Sequence, residues 1–236
     1  MQSVRNSLEV ENETPISGDV RNATSDEIKQ RIFDTFPTQN RAVTQADYEN
    51  IAYRMHTKFG SIKRVSVQRD PDSQKRNLNM YVISENSFGK LEKTNSTIKR
   101  NLKIWLNQYR MINDTIDILD PYILNLGIEF SIRTIPGADK KVVIGRCINE
   151  LHKNFNSNFY IGESVSISSI YNILNKTQGV LDVIKARIIS RTGPNYSGAT
   201  IDINKNLSPD GNQLVVPKNA IVEFKFKSTD FVGKAK

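Results

Sequence analysis

Few side chains in this sequence could support covalent or acid–base chemistry. Cys147 is the only cysteine, and His56 and His152 are the only histidines. Cys147 and His152 lie five positions apart on a predicted helix, a separation of roughly 140° around the axis, so geometry disfavours a thiolate–imidazolium pair. Cys147 therefore reads as a small buried filler. A metal site would have to gather His56, His152 and Cys147 from distant segments, with no His pair at the i, i+4 spacing that a helix offers to zinc. Asp70 and Asp72 flank Pro71, and Asp114, Asp117 and Asp120 punctuate the approach to a strand. Turn formation accounts for both carboxylate groups without paired acid–base work. Gly193 and Gly198 supply the glycines of a phosphate loop, but Ala199 stands where its lysine is required. No catalytic, cofactor-binding or metal-binding residue is expected, and the chain reads as a non-enzyme.

Composition sets the wider limits. The chain has 236 residues, 38% hydrophobic and 25% charged, which suits a soluble globular protein of one or two domains. Each apolar run is broken by Asn, Lys, Arg or Asp within about six positions, far short of a membrane span. The polar, acidic start from Met1 to Glu13 has no apolar signal region, so no secretion signal is expected, and a single cysteine fits a reducing compartment. Lys and Arg number 33 against 25 Asp and Glu, a formal charge of +8, which raises binding to phosphate-bearing partners as an alternative. Phe224, Phe226 and Phe231 interleave with Lys225, Lys227 and Lys234 in a way that could stack on single-stranded nucleic acid. Lysines guarding an edge strand are the simpler account, and acids interleave with the other cations, so nucleic acid is an unlikely partner.

The elements that would carry these residues follow from periodicity. Ile28, Ile32 and Phe36 mark a short helix over 25–36, capped by Thr24 or Ser25 and ended by Pro37. Thr44 with Asp47 forms a capping box in which Asp replaces the usual Glu, opening a helix with Tyr48, Ile51, Ala52 and Met55 on its buried face and Gly60 at its end. Ile62–Val67 and Leu78–Ile83 pair as a hairpin around Asp70, Pro71 and Asp72. Leu91, Ile98, Leu102, Trp105 and Tyr109 share one face of what should be the longest helix, with Trp105 in the core. Leu124, Leu126, Ile128, Phe130 and Ile132 alternate in strict period two, a strand. Asp139 caps a helix whose apolar face is Ile144, Ile148, Leu151 and Phe155, and another helix covers 168–176. Short strands are expected near 200–203, 214–216 and 221–226.

One internal echo organises the pieces. Tyr48, Ile51, Gly60, Ile62, Val65 and Val67 read as helix, glycine, strand, and Ile170, Ile173, Leu174, Gly179, Val180, Val183, Ile184 and Ile188 repeat that order. The expected fold is α+β: two small helix-on-antiparallel-sheet modules with a β-rich C-terminal extension. The boundaries are 1–37 for the end of an upstream β-rich domain and a connecting helix, 38–110 and 111–192 for the modules, and 193–236 for the extension.

Asn40, Arg41, Ala42, Val43 and Thr44, then Asp47, Tyr48 and Ile51, followed by Gly60, Ile62 and Val65, resemble the signature region of the baseplate J-like family. The step Leu119, Asp120, Pro121, Tyr122 into a long strand, and the turn at Gly179 and Val180, continue the resemblance over roughly residues 20–190. The Asn-rich style is most similar to the C-terminal part of the family's large wedge subunits from contractile-tailed phages. The resemblance implies a structural virion subunit made in the host cytoplasm, which joins neighbouring baseplate wedges into an inner ring and rearranges when the sheath contracts. Arg41, Ala42, Val43, Thr44, Asp47 and Tyr48 would be structural motif residues, with Arg41 in an ion pair beside the helix start. Its partners would be other wedge subunits and a second copy of itself. Residues 199–227 hold more β-branched and aromatic surface than such a tail is expected to bury alone, which makes Val215, Val216, Phe224 and Phe226 the candidate homodimer interface.

Overall fold

The computed structural model describes residues 25–35, 41–70, 77–86, 88–155 and 159–236. Expectations for residues 1–24, for Phe36, Pro37 and Asn40, and for Pro71 and Asp72 at the hairpin tip lie outside them. The chain folds as α+β, with two four-stranded sheets, each carrying helices on one face.

Helix α1 (Ser25–Thr35) leads to α2 (Gln45–Tyr53), a 3-10 turn at Thr57–Phe59 and the first sheet. Strands β1 (Arg64–Arg69) and β2 (Asn77–Glu85) form the expected hairpin, pairing Val65 with Val82 and Val67 with Met80. Strand β3 (Leu91–Lys93) adds antiparallel to β2, and after α3 (Ser96–Leu106) the chain returns as β4 (Thr115–Leu119), parallel to β2. Tyr48, Ile51, Val65, Val67, Met80, Val82, Ile98 and Leu102 form the core between the helices and this sheet.

The second sheet is built on β5 (Tyr122–Thr134), the strand that alternates most cleanly in sequence. Its inward residues Leu124, Leu126, Ile128, Phe130 and Ile132 are all buried. The chain continues through α4 (Lys140–Phe155), β6 (Val165–Ser166) and α5 (Ile167–Lys176) to β7 (Val180–Ser190), which runs antiparallel to β5. The closing elements are β8 (Gln213–Leu214), β9 (Ala220–Glu223), the short α6 (Lys227–Asp230) and β10 (Phe231–Ala235). Strand β8 pairs with β6, while β9 and then β10 run along β5 parallel to it.

Several expectations shift in place. Each sheet is mixed rather than antiparallel, because the crossover through α3 returns β4 beside β2 in the same direction, and α6 carries β9 on into β10. Strand β4, assigned by sequence to the second module, belongs to the first sheet. Of the strands expected after residue 193, the one near 221–226 joins the second sheet as β9, the one near 214–216 pairs instead with β6 as β8, and β10, which was not expected, completes the second sheet beside β5. Ile201 and Ile203 form no strand, yet both pack against the second core. Helix α3 starts only at Ser96, where the Asn95 side chain accepts a hydrogen bond from the Thr97 amide, and Leu91 lies in β3. Among the described residues the longest helix is instead α4, of 16 residues. Its buried stripe is Val143, Cys147, Leu151 and Phe155, so two expected core positions, Ile144 and Ile148, sit at the edge of the contact, partly buried.

The echo has a geometric basis. Gly60 joins α2 to β1 with φ of 115°, and a Cβ there would sit 2.6 Å from the Ile98 side chain of α3. Gly179 joins α5 to β7 with φ of 97°, and a Cβ there would sit 2.7 Å from Val143 of α4. In both places the chain turns through a conformation that side chains disfavour, directly under a β-branched residue of a second helix.

Side chains also plug outward-facing strand amides. The Val65 amide of β1 donates to the Tyr53 hydroxyl (2.9 Å), and the Val67 amide donates to Glu49 Oε1 (2.7 Å). On β7 the Ala186 amide donates to the Tyr171 hydroxyl (2.9 Å). Satisfied edge amides cannot template another strand at those positions.

Candidate functional site

The motif segment is a folding device. The Asp47 amide donates to Thr44 Oγ1 (3.2 Å), while Asp47 Oδ2 accepts from the amides of Thr44 (2.8 Å) and Val43 (3.0 Å). This reciprocal capping box starts α2 at Gln45, where the Thr44 and Asp47 pattern places it. Asp does here what Glu usually does, with a shorter reach. Ala42 is fully buried and its amide donates to the Tyr109 carbonyl (2.9 Å), which ties the segment to the end of α3. Tyr48 is buried, donates to Asp114 Oδ2 (2.8 Å) and accepts from the Met111 amide (3.3 Å). Burial, then the Asp114 carboxylate, pushes the Tyr48 phenol up to about 12. Val43 is exposed. Arg41 is exposed too, and the ion pair expected for it is not found among the described residues. The carboxylate nearest in sequence, Asp47, is already engaged with backbone amides.

Helix α1 is held differently from the sequence expectation. Ile28 and Ile32, read as its packing stripe, are exposed, as is Phe33. The contacts run through its charged residues: Glu27 Oε1 pairs with Arg64 Nη2 at 2.7 Å, and the Arg31 guanidinium lies 4.2 Å from the centre of the Tyr53 ring. The same Arg64 stacks over Tyr160 at 4.5 Å and donates from Nε to the Phe159 carbonyl (3.3 Å). One guanidinium thus gathers α1, the first sheet and the loop after α4, using the planar fork that suits Arg and not Lys.

A seam joins the two sheets. Ile83 and Leu91 from the first sheet pack with Ile161 and Ile221 from the second part of the chain. Beside them Glu223 Oε1 accepts from the Leu91 amide (2.8 Å), and Oε2 accepts from Asn125 Nδ2 (2.9 Å). Asn125 Oδ1 in turn accepts from the Ser197 amide (2.7 Å). Burial holds the Glu223 carboxyl above the usual carboxylate range, against the opposing pull of these donors and of Lys225 and Lys90. Lys90 Nζ donates to the Lys225 carbonyl, and Lys63 pairs with the buried Glu85 at 2.7 Å. A hollow of about 430 Å³ opens on this seam between Leu91, Asn125, Tyr196 and Phe226. Its buried carboxylate is already satisfied by the two donors.

The four residues expected at a homodimer interface divide into two kinds. Val216 and Phe224 are each 3% exposed and belong to the second core, where the Phe224 ring lies 5.4 Å from Phe231 and 5.6 Å from Phe155. Val215 at 48% and Phe226 at 36% exposure present side-chain surface outward. The tail buries most of its apolar surface in its own chain because β9 and β10 complete the sheet on β5. The interleaved aromatics follow: Phe224 and Phe231 are core, which leaves Phe226 alone of the three available for stacking.

Cys147 is fully buried in the second core, and burial pushes its thiol up to about 11, the opposite of nucleophile activation. His152 instead lies edge-on to Phe231, 6.1 Å between centres. Among the described residues no cluster of three or more His, Cys, Asp or Glu has metal-binding geometry, and no helix is long and apolar enough to cross a membrane. In the glycine pair of residues 193–198, the Asn195 carbonyl is taken up by Lys225 Nζ at 2.6 Å.

Sequence reading missed Glu223, Asn125 and Arg64 as joints. The available signal was a polar residue interrupting a buried strand: Asn125 between Leu124 and Leu126, and Glu223 between Val222 and Phe224.

The geometry defines an α+β protein of two four-stranded sheets in which the buried Tyr48, Asn125 and Glu223 are engaged by its own backbone and side chains. No family model and no curated protein matches the sequence. Among solved structures the chain is similar to a chain in the cryo-EM structure of the anti-feeding prophage (AFP) baseplate, 6-fold symmetrised, with a TM-score of 0.55 and 11% sequence identity. The match covers 86% of this chain and 42% of that one, so this chain spans less than half the length of its structural neighbour. At that identity the likeness is one of fold.

Proposed function

We propose that this chain is a structural subunit of a contractile-tail baseplate, acting through protein–protein contacts and without catalysis. The observation that carries the reading is the shared fold: 86% of the chain superimposes on a chain of the AFP baseplate. The motif residues Arg41, Ala42, Val43, Thr44, Asp47 and Tyr48, which resemble the baseplate J-like signature, support the reading independently of the fold. The finer reading is that the chain corresponds to the C-terminal part of a large wedge subunit in the virion tail. There it joins neighbouring wedges into the inner ring, pairs with a second copy of itself and with other wedge subunits, and shifts with the baseplate when the sheath contracts. Its two modules would be residues 38–110 and 111–192, with β4 given over to the first sheet and β9 and β10 completing the second.

Deleting the gene that encodes the chain and imaging the particles by electron microscopy tests the reading. Tails without an assembled baseplate are expected, and restoring the gene should restore it. Intact baseplates in the deletion would contradict the proposal.

A further inference from the structure

Past Gly127, where Arg191 and the Asp230 end of α6 lie against the sheet, no helix among the described residues covers the outer face of the second sheet. The inward residues of β5, β7 and β10 pack on α4 and α5, and the alternation of strands sends their neighbours to the opposite side. Register sets these outward residues in rows. Val232, Glu129 and Arg187 lie abreast, then Lys234, Ser131 and Lys185, and Arg133 lies beside Asp182. Lys185, Arg187, Lys234 and Arg133 are exposed, against two carboxylates, Glu129 and Asp182, among the described residues of the same face. Glu129 is already paired, accepting from Arg187 Nε at 2.8 Å. Lys185 and Lys234 flank Ser131 from both sides, across roughly two strand spacings of about 10 Å, and neither makes an ion pair among the described residues. A hollow of about 440 Å³ lies over this row, between Glu129, Ser131, Lys185, Arg187, Val232 and Lys234.

We propose that this uncovered sheet face is a docking surface for an acidic protein segment, whose carboxylates seat between Lys185 and Lys234 over Ser131. Charge complementarity selects the occupant. Two unpaired ammonium groups flank a hydroxyl donor, a setting that accepts carboxylate oxygens, and Val232 gives one apolar contact at the margin. A nucleic acid fits less well. Among the described residues the face presents no exposed aromatic ring on which a base could stack, Phe130 being buried on the inner side, and Glu129 and Asp182 would repel a continuous run of phosphates. The inference stands on this face alone and does not depend on the baseplate reading.

The test uses the full chain and fluorescently labelled poly-L-glutamate, with single-stranded and duplex DNA oligonucleotides as parallel probes, read by anisotropy at low salt. Saturable binding of poly-L-glutamate is expected, weakened by about tenfold or more in the double variant Lys185→Glu, Lys234→Glu. The charge-matched control Lys103→Glu, Lys153→Glu, on α3 and α4, should bind as the unmutated chain does. The milder pair Lys185→Gln, Lys234→Gln should also weaken binding, and its unchanged circular dichroism would separate lost contact from lost fold. Undiminished binding in the Lys185 and Lys234 variants, or an equal loss in the control, would overturn the proposal. Tighter binding of either DNA probe with the same dependence on Lys185 and Lys234 would overturn it in favour of a phosphate partner.

Discussion

Glu223 Oε1 accepts the Leu91 amide hydrogen at 2.8 Å, so a carboxylate from the second sheet caps an amide of the first. Because burial raises the Glu223 pKa, the folded protein holds this proton to higher pH than the unfolded chain does. The contribution of the group is therefore fully present below the ordinary glutamate range and is lost as pH rises through the raised value. Glu223→Gln cannot titrate. The stability difference between wild type and Glu223→Gln should shift against the wild type as pH rises through that window, measured by urea unfolding at a series of pH values. A difference independent of pH would remove the raised carboxyl from the account.

Thr44 and Asp47 make the reciprocal cap of α2. Thr44→Ala should cost about 1 kcal/mol, and Thr44→Ser, which keeps the accepting oxygen, clearly less. Denaturant unfolding measures both. Equal losses would mean that the methyl group, and not the cap, is the contribution of Thr44.

The two echoing glycines should respond alike. Gly60→Ala and Gly179→Ala combine a positive φ with a Cβ placed against Ile98 or Val143, so each should destabilise by more than about 1 kcal/mol. Gly137 supplies the control, since its φ is 87° and a Cβ there meets nothing within 4 Å. Gly137→Ala should cost less than either, and equal costs would show that backbone strain alone governs all three turns.

The tail makes a paired prediction on self-association. Val216→Asp buries a carboxylate in the second core and should destabilise the fold strongly, about 3 kcal/mol or more. Val215→Asp, at a half-exposed position, should leave the fold intact and weaken self-association if the tail is the homodimer contact. Sedimentation at tens of micromolar, roughly the range in which weak interfaces saturate, measures this. Monomer for the unmutated chain would count against the dimer, and normal dimerisation of Val215→Asp would place the contact elsewhere.

Local rules were legible where one short-range interaction decides the outcome. The Thr44–Asp47 cap, the alternation of β5, the Asp139 side chain accepting from the Lys141 amide, and the helix–glycine–strand echo all follow from residues close in sequence. What sequence did not disclose depends on distant partners. Nothing local in Ala220–Glu223 or Phe231–Ala235 says that both strands line β5, so the tail looked short of cover when its cover lies far upstream, as in the pairing of Phe231 with Ile128. Helix α1 shows the same limit. Its apolar spacing predicts a buried stripe, while Glu27 and Arg31 dock it through ion-pair and ring contacts to Arg64 and Tyr53. For the candidate site, the motif residues were legible as folding elements. The seam through Glu223 and Asn125 was visible only as polar residues out of place in buried strands.

The most direct measurement of the central claim is a cryo-EM reconstruction of tail particles from the virus or element that encodes this chain. The account predicts that its two-sheet fold fits density in the baseplate, in contact with neighbouring subunits around the tail axis. Particles whose baseplate density is fully assigned to other chains, with this fold absent, would contradict it.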